Sequence, residues 1–125
     1  MGSIERTSCK MCGRSWQYKT GCGVNHWNLE VVLDLFDESV KTQVKSWMNG
    51  KATPLFQFDY HGALCGVCKA VVDVPVLKLF PENTVYTGKC EGCGSEVSIL
   101  DNIKEENCPE CGGKSLENFR EGLWD

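Results

Sequence analysis

Eight of the nine cysteines in this chain of 125 residues fall into four Cys-x-x-Cys pairs. A two-residue spacer lets both sulfurs of a tight turn point at one ion, so two pairs together complete a tetrahedral site. We therefore expect two four-cysteine sites that hold two Zn²⁺ ions. The ligands are Cys9, Cys12, Cys65, Cys68, Cys90, Cys93, Cys108 and Cys111.

A cysteine content this high is also typical of a disulfide scaffold. We expect metal instead, because the cysteine count is odd, no apolar signal segment follows Met1 and no Asn-x-Ser/Thr acceptor occurs. These features favour a reducing, cytoplasmic location. No apolar run approaches the ~20 residues of a membrane span, so we expect no membrane association.

The C-terminal third carries the pattern of a known group. Segments 90–94 and 108–112 are each a cysteine pair followed by glycine, and together they resemble the zinc-ribbon and rubredoxin-like group. In that group two knuckles from two hairpins clamp one metal. The resemblance covers about 81–125 and implies a β-ribbon with these four cysteines as ligands. It implies little about activity, because such ribbons serve many functions.

The spacing leaves open which cysteine pairs share an ion. If each pair is named by its first residue, the favoured arrangement joins neighbours: the Cys9 pair with the Cys65 pair, and the Cys90 pair with the Cys108 pair. The C-terminal ribbon is then complete in itself. A second arrangement joins the Cys65 and Cys90 pairs and leaves the Cys9 pair to meet the Cys108 pair. A cross-braced arrangement is the third.

Segment 28–48 has the hydrophobic period of an amphipathic helix. Acidic residues come early and lysines late, as the helix dipole favours. A break near 37–39 would divide it into two shorter helices. The apolar stripe is Leu29, Val32, Leu33, Phe36, Val40, Val44 and Trp47.

The remaining pattern is strand-like around the cysteine turns, and a linker begins at Pro81. We predict an α+β fold of two zinc-ribbon-like antiparallel β units with one helical insertion at about 28–48. The predicted domains are 1–80, a ribbon-like unit interrupted by the helix, and 81–125, a C-terminal zinc ribbon. A glycine after the second cysteine of a knuckle, as at Gly13, permits the positive φ that the turn needs.

A site of four thiolates keeps no coordination position for water or substrate, so we expect structural rather than catalytic metal. The two histidines and the scattered acidic residues form no recognisable catalytic motif. We therefore predict that the protein is not an enzyme. The predicted function is a protein-interaction or adaptor module. Thiol redox chemistry at Cys65 and Cys68, and rubredoxin-like iron electron transfer, are the less favoured alternatives.

Nucleic-acid binding is the main alternative function. Basic and aromatic residues around the first knuckle are the types that bind single strands; they are Arg6, Lys10, Arg14, Trp16 and Lys19. The formal net charge is −4, however, and becomes −8 with eight thiolates and two Zn²⁺. A body this acidic is a poor general binder of polyanions, so a protein partner is favoured.

Three further soft ligands stand outside the pairs. Cys22 and His26 lie four residues apart, and His61 precedes the Cys65 turn. Each can bind a metal or support a ligand in principle. With eight better-paired thiols present, we expect surface or packing roles for all three.

Overall fold

A computed structural model describes residues 2–100 and 105–124. Within these residues the chain forms one sheet of seven strands, two short α-helices and a 3₁₀ turn at Val24–Trp27. The helices are α1 (Leu29–Leu33) and α2 (Glu38–Met48). The strands are β1 (Gly2–Cys9), β2 (Ser15–Gly21), β3 (Phe56–Cys65), β4 (Ala70–Leu79), β5 (Thr84–Thr87), β6 (Ser98–Ile99) and β7 (Leu116–Trp124).

The strand order is β5-β4-β3-β2-β1-β7, with β6 paired to β3, and all described pairings are antiparallel. β1 lies between β2 and β7, so the first and last described residues, Gly2 and Trp124, are in neighbouring strands. Its register places Cys9 opposite Leu116. One bridge, between Gly21 and Tyr60, connects β2 to β3.

The predicted α+β fold of two zinc-ribbon-like units with one helical insertion is wrong. The structure is mostly antiparallel sheet, and it is one sheet rather than two ribbons. The physical reason is that a two-stranded ribbon leaves both backbone edges open. Here β7 covers the outer edge of β1, and β4 covers β3 along its whole length. The division into 1–80 and 81–125 stays a prediction.

The helical segment is broken where the sequence allowed a break. The Asp37 side chain accepts a hydrogen bond from the Val40 N–H at 3.0 Å and begins α2. The Asn28 side chain accepts one from the Glu30 N–H at 3.0 Å and begins α1 in the same way. Such caps satisfy amides that have no partner inside the helix. The chain therefore forms two short helices instead of one insertion helix.

Two apolar clusters form the core. In the larger one, α1 and α2 cover the face of β3 and β4, with Val32 and Val44 against Phe58 and Leu77. The smaller one includes Trp16 and Leu116 together with Cys9 and Cys108. One cysteine group is thus continuous with the core. No helix within 2–100 and 105–124 is long and apolar enough to cross a membrane.

Candidate metal centres

The first cysteine group lies where β1 ends and shortly before β7 begins. It consists of Cys9, Cys12, Cys108 and Cys111, whose sulfur atoms all lie within 4.8 Å of one another. The Sγ atoms of Cys9 and Cys111 are 3.6 Å apart, and those of Cys12 and Cys108 are 3.7 Å apart. Because β1 and β7 are hydrogen-bonded neighbours, their ends bring these two knuckles together.

The second cysteine group joins the β3–β4 turn to the segment between β5 and β6. It consists of Cys65, Cys68, Cys90 and Cys93, again with all sulfurs within 4.8 Å. The Sγ atoms of Cys65 and Cys93 are 3.5 Å apart, and those of Cys68 and Cys90 are 3.8 Å apart. The Cys68 N–H also donates to the Cys65 Sγ at 3.4 Å.

The structure does not bring together the neighbouring pairs that we favoured from spacing. The Cys9 pair meets the Cys108 pair, and the Cys65 pair meets the Cys90 pair, which is the second arrangement. The favoured arrangement is wrong because it treats the C-terminal third as a self-contained ribbon. Strand β7 pairs with β1 instead, and it carries the Cys108 knuckle to the N-terminal hairpin.

The sulfur positions fit a tetrahedral ion. A Zn–S bond of about 2.3 Å gives tetrahedral S···S edges of about 3.8 Å, and the S···S contacts of the two groups run from 3.5 to 3.8 Å. They are far longer than a disulfide bond of about 2.05 Å, and all nine cysteines are free. Each group can therefore hold one thiolate-preferring ion, which would cross-link the strands that carry its ligands.

Three of the four knuckles share one backbone conformation, and the fourth shares its positive φ. Gly13, Gly94 and Gly112, each directly after a second cysteine, have φ of 77°, 73° and 77°. The amide of Gly13 donates to the Cys9 carbonyl at 3.0 Å, and the other two knuckles repeat this bond. The expectation of a positive φ after the second cysteine is confirmed. In the Cys65 knuckle the position is occupied by Lys69, whose φ is 51°.

Each group has two buried and two exposed cysteines. The first cysteine of every pair is buried and the second is exposed. The bound ion would therefore lie at the rim of the sheet, held from inside by two ligands and closed off from solvent by two more. An ion held in this way would tie the strand ends together.

The thiol groups influence one another's ionisation. Hydrogen bonds from Ser95 to the sulfur lower the pKa of Cys93 to about 6. Hydrogen bonds shared with Cys93 and Cys90 raise the pKa of Cys68 to about 12, because that thiol keeps its proton as the donor. In the first group, the backbone N–H of Cys12 is the main cause that lowers the pKa of Cys9 to about 7. A divalent cation removes the repulsion that stops all four thiols from ionising together.

Ser95 is a residue that our reading of the sequence missed. It lies two residues after Cys93, and its side chain and amide both donate to that sulfur. Its amide carbonyl also accepts from the Cys90 N–H at 2.9 Å. A hydroxyl residue directly after a Cys-x-x-Cys-Gly turn was the available signal.

The other soft ligands lie outside both groups. The Nδ1 atom of His26 accepts a hydrogen bond from the Gly23 N–H at 2.9 Å, and its ring lies 4.6 Å from that of Phe58. Cys22 packs at the edge of the larger core cluster. His61 is a strand residue of β3 opposite Val74. Packing roles fit these placements.

The predicted nucleic-acid residues have partners within the protein. Arg6 Nε lies 2.8 Å from Glu121, and Lys10 Nζ lies 2.7 Å from Glu117. Trp16 is buried. Lys19 Nζ lies 4.4 Å from the centre of the Tyr60 ring, and the Arg14 guanidinium lies 5.7 Å from that of Trp16. The most exposed aromatic side chain among the described residues is Trp27, at 82%, and our reading of the sequence did not include it.

The fold and the two groups define a mostly antiparallel β protein with two tetra-cysteine clusters that can bind metal. No family model and no solved structure matches the chain. The UPF0251 protein of Desulforudis audaxviator (strain MP104C) is 30% identical over 113 residues, which covers 79% of this chain and 74% of that protein. The chain therefore belongs to the family of UPF0251 proteins. That name states no activity, ligand or partner.

Proposed function

We propose that this is a non-catalytic zinc-binding protein in which two structural four-cysteine sites hold the sheet, and that the sheet serves as a protein-interaction module. The observation that carries the proposal is the sorting of eight cysteines into two groups of four with the sulfur spacing of a tetrahedron. Four sulfur ligands fill the coordination of zinc and leave no position for water or substrate.

The position of the groups supports a structural role. Cys12 and Cys108 are separated by 96 residues, whereas Cys68 and Cys90 are separated by 22. One ion would thus fasten the two ends of the chain to each other, and the other would fasten the middle strands. Structural zinc contributes about 10–16 kcal/mol of apparent binding free energy in small peptides, which is enough to decide whether a small sheet folds.

Elemental analysis with thiol counting tests the proposal. The protein is purified under reducing conditions, and metal is measured per chain alongside thiols that react before and after chelation. We expect two zinc ions and one readily reactive thiol, that of Cys22, with eight more thiols after the metal is removed. Iron in the sites, visible by its absorbance, would overturn the zinc assignment. Four disulfides would overturn the metal sites altogether.

A protein partner is favoured over nucleic acid because of the charge distribution. Arg6 and Lys10 are paired with acidic residues of β7, and the chain is acidic overall. We expect no salt-sensitive shift of a labelled single-stranded oligonucleotide at low ionic strength. A clear shift that is lost in an Arg14→Ala variant would favour nucleic acid instead. The absence of enzymatic activity and the cytoplasmic location belong to the same proposal.

A further inference from the structure

Within residues 2–100 and 105–124, strand β3 has an open backbone edge at its beginning. On one side it pairs with β4 from Phe56 to Cys65. On the other side, the strand partners within the described residues are Gly21 of β2, opposite Tyr60, and β6, opposite Ala63 and Leu64. Residues 56–59 have no strand partner there in the part of the chain that the structure describes.

The hydrogen bonds show which groups point to this open edge. The Phe80 N–H donates to the Leu55 carbonyl at 3.1 Å, so the odd-numbered residues in this register bond to β4. The Leu100 N–H donates to the Gly62 carbonyl at 2.9 Å, so the even-numbered residues bond to the opposite side. Phe56 and Phe58 therefore direct their N–H and C=O groups outward, away from β4.

A groove of about 400 Å³ runs beside these groups. Segment 54–59 forms one wall, and Cys22, His26 and Trp27 form the other. Trp27 is 82% exposed and Leu55 is 63% exposed. The strand residues at this edge, 56–59, span about 13 Å, and apolar side chains lie at the margin of the groove.

The groove carries an acidic group on one face, Asp59, and the charge of Lys19 reaches His26 on the other. The carboxylate of Asp59 accepts a hydrogen bond from the Gln57 side chain at 3.1 Å, and the described residues supply it with no salt bridge. Side chains alternate along a strand, so Asp59 lies on the face opposite Phe58. His26 and the 3₁₀ turn lie on the Phe58 face. The two faces therefore offer different chemistry, acidic on one and aromatic on the other.

The outer edges of the sheet are less suited to an added strand. Along β7, Glu117, Arg120 and Glu121 are charged, and its pairing with β1 shifts register between Ile4 and Glu5. Charges and bulges are the features that protect an edge strand from pairing. Strand β5 has four residues. The open stretch of β3 carries one charged side chain, that of Asp59, and its pairing with β4 has no register shift.

We propose that this groove binds an extended segment of another protein as an added β-strand, with apolar residues toward Trp27 alternating with basic residues toward Asp59. The proposal rests on the function proposed above and names its partner by chemistry. The backbone of the added strand would form hydrogen bonds with the N–H and C=O groups of Phe56 and Phe58, as in strand addition to an exposed edge. A second copy of the chain that pairs through the same edge is the competing occupant.

The test uses the full zinc-loaded chain and two labelled peptides. The first is acetylated and amidated Val-Lys-Val-Lys-Val-Lys, and the control replaces each Lys with Glu. Fluorescence anisotropy measures both dissociation constants. We expect the Lys peptide to bind at least about tenfold more tightly than the Glu peptide, with a difference that shrinks as salt rises.

Backbone involvement is tested at Phe56. Phe56→Pro removes the outward N–H without removing a bond to β4, and Phe56→Ala removes the same ring but keeps the N–H. We expect Phe56→Pro to bind the Lys peptide about fivefold more weakly than Phe56→Ala, which corresponds to one lost hydrogen bond. Trp27→Ala, at an exposed position, should weaken binding tenfold or more. Asp59→Asn should reduce the preference for Lys over Glu, and the preference that remains reflects the acidic chain as a whole.

Metal content and mass in solution are measured on the same samples. A chain that holds two metals yet does not distinguish the peptides, or binds equally well as Phe56→Pro and Phe56→Ala, overturns the groove and leaves the zinc proposal intact. A dimer that Phe56→Pro dissociates would show that a second copy is the occupant, and would also overturn the proposal. If Phe56→Pro loses metal, Trp27→Ala and Asp59→Asn decide the outcome.

Discussion

A double substitution distinguishes the observed cysteine groups from the neighbour arrangement. Cys12 and Cys111 belong to the same group in the structure. The variant with Cys12→Ser and Cys111→Ser should therefore lose one ion and retain one. If neighbouring pairs shared ions, the same variant would damage both sites and retain none. All four thiols of the other group are unchanged in this variant, so its retained ion is an internal control.

The matched variant carries Cys68→Ser and Cys93→Ser. Both variants remove two exposed cysteines, the second member of each pair in one group. A metal stabilises a fold by its preference for the folded over the unfolded chain. An ion that binds four cysteines of the unfolded chain must close a loop between two distant pairs. The loop spans 96 residues in the first group and 22 in the second, so the unfolded chain binds the first ion less well. The difference in closure free energy, (3/2)RT ln(96/22), is about 1.3 kcal/mol.

We therefore expect the first-group variant to lose about 1.3 kcal/mol more unfolding free energy than the second-group variant. Guanidinium unfolding, followed by tryptophan fluorescence in a reducing, zinc-buffered solution, gives both values. Metal stoichiometry before unfolding gives the ion count. A first-group variant with no ion refutes the observed pairing. Equal losses, or a larger loss in the second-group variant, refute the closure argument.

Two further predictions concern backbone strain and pH. Gly13 has φ of 77° with no atom within 4 Å of an added Cβ, so Gly13→Ala should cost about 1–2 kcal/mol in a urea unfolding curve from strain alone. Lys69, with φ of 51°, is its counterpart, and Lys69→Gly should stabilise by about 0.5 kcal/mol; a loss there would contradict the strain argument. Burial, and then the charge of Lys19, lower the pKa of His26 below 6.5, so the folded state favours the neutral ring. The contribution of His26 to stability is thus complete above about pH 6.5 and declines as the pH falls toward the lowered pKa. The wild type should lose more stability than His26→Phe between about pH 7.5 and 5.5, and parallel pH profiles would rule this out.

The local features of the metal centres could be predicted from the sequence, because they depend on few consecutive residues. Gly13, Gly94 and Gly112 follow second cysteines, and all three have the expected positive φ. The break in the helical segment was an alternative near 37–39 and not the prediction, although aspartate, the residue type of the Asp37 cap, favours helix starts. Lys69 had no such signal, because a lysine at positive φ is held by its surroundings and not by its own preference.

The grouping of the cysteines could not be predicted, because it depends on which distant strands pair. Cys9 and Leu116 lie opposite each other in the sheet, although more than half of the chain separates them in sequence. An alternating strand pattern is compatible with several pairing partners, so the hydrophobic pattern of 115–120 does not identify β1 as the strand that pairs with it. The same limit applies to Arg6 and Lys10. Their acidic partners, Glu121 and Glu117, are on β7, and become neighbours after that pairing forms.

Strand β3 runs between the second cysteine group and the open groove. Cys65, a ligand of the second group, ends the strand, and Phe56, at the groove, begins it. A strand of ten residues spans roughly 30 Å, so an ion at one end touches nothing that binds at the other. The ion of the second group would therefore influence peptide binding through the position and rigidity of β3. Removal of that ion should therefore weaken peptide binding in parallel with loss of folded sheet, whereas Trp27→Ala should weaken binding with the sheet and both ions retained.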